Sequence, residues 1–165
     1  AMAVSPDLLP LVSACVALVR RHRRLLWRSL ATLAIGLVVA QLAAFLLTSA
    51  LLLSGNLGAG YRPSPILLGT LVTVDFSSAM IAFVAGIAAM LAFETRAGAA
   101  VGVAISVTTI PAAAFFGVAL AAGEVGSAVS ALEVLAVNVA FLVLGGAITL
   151  LTQEWVSRRL DARAA

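Results

Sequence analysis

The chain has 165 residues, 63% of them hydrophobic and only 10% charged, whereas soluble domains carry about 25% charged residues. This composition argues against a soluble catalytic domain and for helices that cross a lipid bilayer. The net charge of +3 comes from arginines at the ends of apolar segments, so it does not indicate nucleic-acid binding, and the single cysteine, Cys15, excludes an intrachain disulfide.

Five apolar segments follow one another along the chain. The first, residues 4–19, is short and contains two prolines and Asp7. The other four have about the 20 apolar residues that a membrane-spanning helix needs, and they are residues 29–53, 76–93, 97–122 and 127–152. Residues 66–75 read as an interfacial lead-in to the third segment. The sequence therefore predicts an all-α fold, a polytopic bundle of transmembrane helices that forms one domain over residues 1–165.

The arginines predict how the segments are oriented. Nine of the ten lie after segments one, three and five, the last of these in the C-terminal tail, and only Arg62 lies on the opposite side. Because basic residues accumulate in cytoplasmic loops, we expect a multi-pass protein of the cell membrane with its basic loops and C-terminus in the cytoplasm. The tail is a candidate to continue the fifth helix, with Trp155 at the membrane interface.

Two short motifs about 101 positions apart share the pattern Ser-x-x-x-x-Pro. Ser5–Pro10 reads SPDLLP, Ser106–Pro111 reads SVTTIP, and a long apolar helix follows each. The first hairpin turns on the arginine-rich side and the second at Gly123–Gly126, on the other side. This favours an inverted-topology repeat, as in many secondary transporters, over a chance match of apolar sequence. Because proline removes a backbone donor, both motifs are predicted to lie in proline-broken helices.

The repeat also exposes a gap in its first copy. The segment over residues 76–93 precedes the second motif, but nothing equivalent precedes the first. We therefore expect the chain to be a fragment, with at least one more helix upstream in the parent protein. A parent gene that opens at Met2 would contradict this expectation.

Two elements resemble those of a known family. Residues 1–10, AMAVSPDLLP, resemble a GAM-x-x-SP-x-x-x-P element, and residues 101–111 resemble a VG-x-x-I run that ends in two prolines. Both elements are typical of the domain of unknown function 389 family of bacterial and archaeal membrane proteins, and Asn138 matches an asparagine of its last helix. Asp7 and Ala112 depart from the pattern, since the family usually has an apolar residue and a second proline there. The resemblance implies a hydrophobic membrane protein and no particular activity.

Polar residues near the two predicted breaks are the candidate substrate or ion pathway. Alternatives remain open, because Asp7 can cap a helix, Glu133 can snorkel to the interface and Asn138 can bond between helices. Asp75 is expected to cap the helix that begins at Phe76. The candidate pathway residues are Ser5, Asp7, Pro10, Ser106, Thr108, Thr109, Pro111, Glu133 and Asn138.

Small residues at helical spacing are expected to let neighbouring helices approach closely. The arginine cluster that follows the first segment is read mainly as a topology signal, with anionic lipid headgroups as a second interpretation. The glycines expected to pack helices together are Gly86, Gly98, Gly102 and Gly145.

These observations favour a small-solute or ion transporter, or a channel, with its site at the two breaks. The alternative is a non-transporting membrane module that anchors, oligomerises or signals. An enzyme is not expected, since the sequence lacks a metal-ligand cluster, paired carboxylates and a Gly-rich phosphate loop, and no metal or cofactor is predicted. Five helices can hardly enclose a pathway alone, so we expect a homo-oligomer in membrane lipid.

Overall fold

Five α-helices account for nearly all of the residues that the computed structural model describes, which are 8–57, 61, 75–95 and 98–164. Side chains are described for residues 10–57, 61, 75–92, 109–159 and 162. The predicted all-α class is confirmed, and each predicted apolar segment overlaps one helix. The helices are α1 (Leu8–Val19), α2 (Arg23–Leu53), α3 (Phe76–Thr95), α4 (Gly98–Ala121) and α5 (Val125–Ala164).

The same backbone turn joins α1 to α2 and α4 to α5. In each, a residue with positive φ ends the first helix: Arg21 at 54° and Gly123 at 78°. This residue donates its N–H three residues back, and the next residue donates five residues back, which is the Schellman pattern that satisfies the last carbonyls of a helix. The four N–H to C=O bonds are Arg21 to Leu18, His22 to Ala17, Gly123 to Leu120 and Glu124 to Ala119.

The two turns correspond at a fixed separation along the chain. Each residue of the first turn matches the residue 102 positions later, as Arg21 matches Gly123, and Val-Ala-Leu stands before both turns at 16–18 and 118–120. The Ser-x-x-x-x-Pro motifs lie 101 positions apart. One residue is therefore inserted between the proline and the turn of the second hairpin, which the motif alignment does not detect.

The two hairpins turn at opposite ends of the bundle. Leu37 of α2 packs against the cluster that contains Ala113 of α4, and four residues further along each helix Gln41 lies beside Gly117. The two helices are therefore parallel. The C-terminal end of α2 lies near the α4–α5 turn, and the α1–α2 turn lies at the other end.

One close contact is repeated between the hairpins. A Cβ on Gly117 of α4 would lie 2.3 Å from the Gln41 carbonyl oxygen of α2, so only glycine fits there. The matching residues 102 positions away, Cys15 of α1 and Val143 of α5, also touch, because the Cys15 thiol donates to the Val143 carbonyl at 3.6 Å. Each hairpin thus lays its first helix against the second helix of the other.

The third helix, α3, packs closely against α5. A Cβ on Gly86 would lie 2.1 Å from the Leu142 carbonyl oxygen, and a Cβ on Gly145 would lie 2.2 Å from that of Phe83. Such approach of two backbones requires small residues, and both glycines belong to the set expected from the sequence. The other two, Gly98 and Gly102, lie in α4 at positions whose surroundings are outside the described residues.

Neither proline interrupts its helix as predicted. Pro10 lies in α1, which continues beyond it to Val19. Pro111 lies inside α4, which continues to Ala121. Ala112 and Ala113 beside it are fully buried against Leu135, and this packing favours a continuous helix despite the missing donor. The predicted proline-broken helices are therefore not confirmed.

By length and composition, two of the described helices can cross a membrane: Arg23–Leu53 and the part of α5 over Val125–Arg159. They differ in environment, since 6% of the most apolar stretch of α2 is buried against 50% of that of α5. Large side chains of α2 such as Ile35, Val39 and Leu46 are at least 60% exposed. An apolar surface of this kind is costly in water and is stable in lipid.

We predict that Gly86→Ala lowers the free energy of unfolding by about 1–3 kcal/mol, because the added methyl group forces α3 away from α5. Gly126→Ala is the matched control, since nothing lies within 4 Å of a Cβ there and alanine favours the helix. Thermal unfolding of the purified protein in detergent measures both. Equal stability of the two variants would contradict the close contact.

Candidate functional site

The helix α3 begins beside Asn138, about a third of the way along α5. The hydroxyl of Ser78, the third residue of α3, donates to Asn138 Oδ1 at 3.4 Å, and Asn138 is the fourteenth residue of α5. Eight residues later in α3, Gly86 lies between Leu142 and Gly146, so the two helices run parallel. The N-terminal end of α3 therefore lies halfway along the bundle.

Asp75 occupies the N-cap position of α3, as the sequence predicts. Its carbonyl accepts the Ala79 N–H at 3.2 Å, and its carboxylate accepts the hydroxyl proton of Ser77. A carboxylate at this position is stabilised by the positive end of the helix dipole. Asp75 and Ser77 are both exposed, so a negative charge and a hydroxyl are accessible at this height in the bundle.

The fourth helix brings Thr109 to the same height. Along the antiparallel α4–α5 hairpin, Ala119 packs with Ala128, and two turns further from the connection Ala112 packs with Leu135. One more turn along both helices places Thr109 of α4 at the same level as Asn138 of α5. Thr109 is 1% exposed and Asn138 is 3% exposed. We call Asp75, Ser77, Ser78, Thr109 and Asn138 the polar layer.

An apolar groove of about 520 Å³ lies between α2 and α5. Corresponding residues of the two hairpins face each other across it. Leu18 of α1 also lines it, and no polar side chain does. Asn138 lies at the level of this groove, since the next residue, Val139, is among the lining residues. Matching residues 102 positions apart line its two sides: Leu30 and Leu132, Leu33 and Leu135, Ala34 and Ala136, Leu37 and Val139.

The sequence-predicted pathway residues divide into three groups. Thr109 and Asn138 lie in the polar layer. Glu133 is exposed on α5, and Pro10 and Pro111 are half-buried inside helices. The remaining predictions lie outside the residues or side chains that the structure describes: Ser5, Asp7, Ser106 and Thr108.

Sequence reasoning missed Ser78 as a site residue. Its position after Asp75 reads only as the first turn of a helix, and the partner Asn138 lies 60 residues further on. The signal available was the start of a helix inside a long apolar stretch, over residues 66–93. That signal places a cap within the apolar region but does not identify which helix faces it.

The chemistry of the polar layer is one carboxylate with hydroxyl and amide groups. Among the residues that the structure describes, no group of three or more His, Cys, Asp or Glu residues could hold a metal ion. Hydroxyl and amide groups both donate and accept hydrogen bonds, and the carboxylate only accepts them. Such a set of groups suits a small polar solute, or an ion that several weak ligands bind jointly.

We predict that Ser78 and Asn138 stabilise the fold jointly. In a double-mutant cycle of Ser78→Ala and Asn138→Ala, the coupling energy should be about 0.6 kcal/mol, the mean for hydrogen bonds between membrane helices. Unfolding by denaturant in detergent measures it. Thr149→Ala with Asn138→Ala is the control pair, because the Thr149 hydroxyl bonds within its own helix to Gly145. Coupling as large in the control pair would contradict the contact.

A family model described as domain of unknown function (DUF389) matches residues 2–144. The match includes the whole polar layer and both hairpin turns. No curated protein and no solved structure matches the chain. The comparison therefore shows the family of the chain and gives no activity for it.

Proposed function

Because the chain belongs to the DUF389 family, whose name records no activity, we propose its function from the geometry: a multi-pass membrane transporter or channel for a small solute or ion. The observation that carries this proposal is the polar layer. Asn138 and Thr109 are the two most deeply buried polar residues among those that the structure describes, and they lie at the height where α3 begins. Polar groups at such a depth are expensive in lipid and characteristically line substrate or ion routes.

We further propose that α1–α2 and α4–α5 form an inverted-topology repeat. Three findings support it: the identical turns at Arg21 and Gly123, the opposite ends at which they lie, and the repeated contact of Cys15 and Gly117 with the opposite hairpin. Transporters with such repeats bind their substrates near the middle of the bilayer, at helices that begin there. The start of α3 has this position relative to both hairpins.

The energetic argument concerns Asp75. A carboxylate at the bilayer centre costs about 2.5–3.5 kcal/mol on insertion scales, so an exposed one needs water, a cation or a second polar chain near it. Within the described residues, the Ser77 hydroxyl bonds to this carboxylate and uses only part of its acceptor capacity. A water-accessible route that reaches the polar layer from one side would supply the rest.

For the orientation, we propose a cell-membrane protein with the α1–α2 turn and the end of α5 in the cytoplasm. The turn between α1 and α2 contains Arg20 and Arg21, and Arg158 and Arg159 lie near the end of α5. These arginines share one end of the bundle, because α5 runs parallel to α1 and continues beyond it. Arginine-rich ends remain on the cytoplasmic side during insertion.

We propose that the protein is a homo-oligomer in which a second copy covers α2. The small residues Gly36 and Ala43 match Asn138 and Gly145, the positions of α5 that α3 covers. On α2 both are exposed. A helix with small residues on an uncovered face can pack closely against another helix in lipid.

The oligomer is tested by disulfide cross-linking in native membranes. With Cys15 replaced by alanine, Ala43→Cys should form a covalent dimer under mild oxidation, since the proposed contact brings two copies of α2 together. Leu144→Cys on the exposed side of α5 is the control and should cross-link less. Equal cross-linking at both positions would indicate random collisions and contradict the proposal.

The transport proposal is tested by flux into proteoliposomes, with osmotic swelling for neutral solutes and fluorescent indicators for ions. Once a permeant is identified, Asn138→Ala and Thr109→Val should each reduce flux by about tenfold, the effect of losing one hydrogen bond in a buried site. Thr152→Val should retain flux, since Thr152 is exposed on α5 and its hydroxyl bonds within its own helix to the Ile148 carbonyl. No flux for any permeant, or full flux in Asn138→Ala, would contradict the proposal.

A non-transporting membrane module is the second candidate. The close backbone contact at Gly86 and Gly145 favours it, because such contacts serve rigid packing as well as they serve a pathway. The wholly apolar lining of the groove between α2 and α5 fits this candidate too. An assembled oligomer without flux would support it over transport.

A further inference from the structure

The α1–α2 turn presents a dense patch of positive charge. Its five arginines lie within nine residues of sequence and all are exposed. In the part of the chain that the structure describes, no carboxylate lies within ion-pair distance of any of them, whereas Arg158 pairs with Glu154 at 3.8 Å. We name this set the arginine turn: Arg20, Arg21, Arg23, Arg24 and Arg28.

The backbone of Arg21 gives a second and independent observation. Arg21 has a φ of 54°, a left-handed conformation that strains every residue except glycine and, less so, asparagine and aspartate. The matching position of the other hairpin, with the same hydrogen bonds, is Gly123. Glycine would therefore fold this turn at lower cost. The turn itself therefore does not require an arginine at this position.

The surroundings of the arginine turn identify a membrane surface. Trp27 is 73% exposed and Leu25 is 42% exposed, directly beside the arginines. Tryptophan prefers the boundary between lipid headgroups and acyl chains. At the same end of the bundle, the Arg159 guanidinium stacks on the Trp155 ring at 3.7 Å. Arginines beside exposed tryptophan side chains are typical of the membrane interface, where lipid phosphates lie.

The opposite turn provides an internal comparison. Between Ala121 and Ser127 it has no arginine, and Glu124 accepts the Ser127 hydroxyl at 3.1 Å. The two turns share one backbone and differ in charge. The shared backbone therefore does not require the charge, which suits both orientation during insertion and an anionic ligand on this side.

We propose that the arginine turn is a binding site for the phosphate groups of anionic phospholipids. Guanidinium groups bind phosphate oxygens through two parallel hydrogen bonds, and several of them outcompete the hydration of a single headgroup. Arg21 presents its side chain from the tip of the turn. Trp27 and Leu25 contact the acyl chains of the same lipid, which distinguishes a lipid from free phosphate.

Native mass spectrometry of the full chain, titrated with phosphatidylglycerol or phosphatidylcholine, tests this site. The wild type should bind phosphatidylglycerol more tightly than phosphatidylcholine, and Arg21→Gly should weaken phosphatidylglycerol binding by about fivefold, the contribution of one arginine at a lipid surface. Arg158→Gln is the matched control, because Arg158 is exposed but already pairs with Glu154. It should bind as the wild type does.

Two further arms keep the test decisive. Thermal unfolding of Arg21→Gly should show stability equal to or above that of the wild type, since glycine relieves the strained φ; the double variant Arg20→Gln with Arg24→Gln leaves that backbone unchanged and should also lose binding. Inorganic phosphate at millimolar concentration should not displace the lipid. Unchanged binding in Arg21→Gly and in the double variant, equal affinity for the two lipids, or displacement by phosphate would overturn the proposal.

Discussion

The close backbone contact between each hairpin and the long helix of the other is the constraint on which the rest of the structure depends. Gly117 against Gln41 leaves no room for a larger side chain, and at the matching position the Cys15 thiol donates to the Val143 carbonyl. Because these contacts make α2 parallel to α4 and α1 parallel to α5, the two turns lie at opposite ends. Asn138 of α5 then lies near the centre of the bundle, and the start of α3 lies against it.

Much of the fold is predictable from composition and pattern, because a helix in an apolar chain leaves a long apolar segment bounded by Gly, Asn or charged residues. The N-cap at Asp75 is also predictable, because it depends only on the residues next to it in the sequence. The effect of the prolines on their helices is not predictable in this way, since the helix at Pro111 depends on buried alanines that contact another helix. The pairing of Ser78 with Asn138 is also beyond sequence reasoning, because it depends on how far α3 slides along α5.

Helices α2 and α5 are matched members of the two hairpins, yet their surroundings differ. The hairpin that contains α5 has α3 on its small-residue face, and α2 leaves the corresponding face around Gly36 open. The turns differ as well, with Arg21 in one and Gly123 in the other. In the proposed arrangement, the difference between the turns determines which end of the bundle faces the cytoplasm. The open face of α2 determines which side of the bundle contacts a second copy.

The opposite insertion of the two hairpins is tested most directly by labelling single cysteines in sealed vesicles of known orientation. With Cys15 replaced by alanine, one cysteine is placed at His22, in the first turn, and another at Gly126, where nothing lies within 4 Å of a Cβ. A maleimide that cannot cross the membrane should reach His22→Cys from the cytoplasmic side only and Gly126→Cys from the other side only. Labelling of both cysteines from one side would contradict the arrangement.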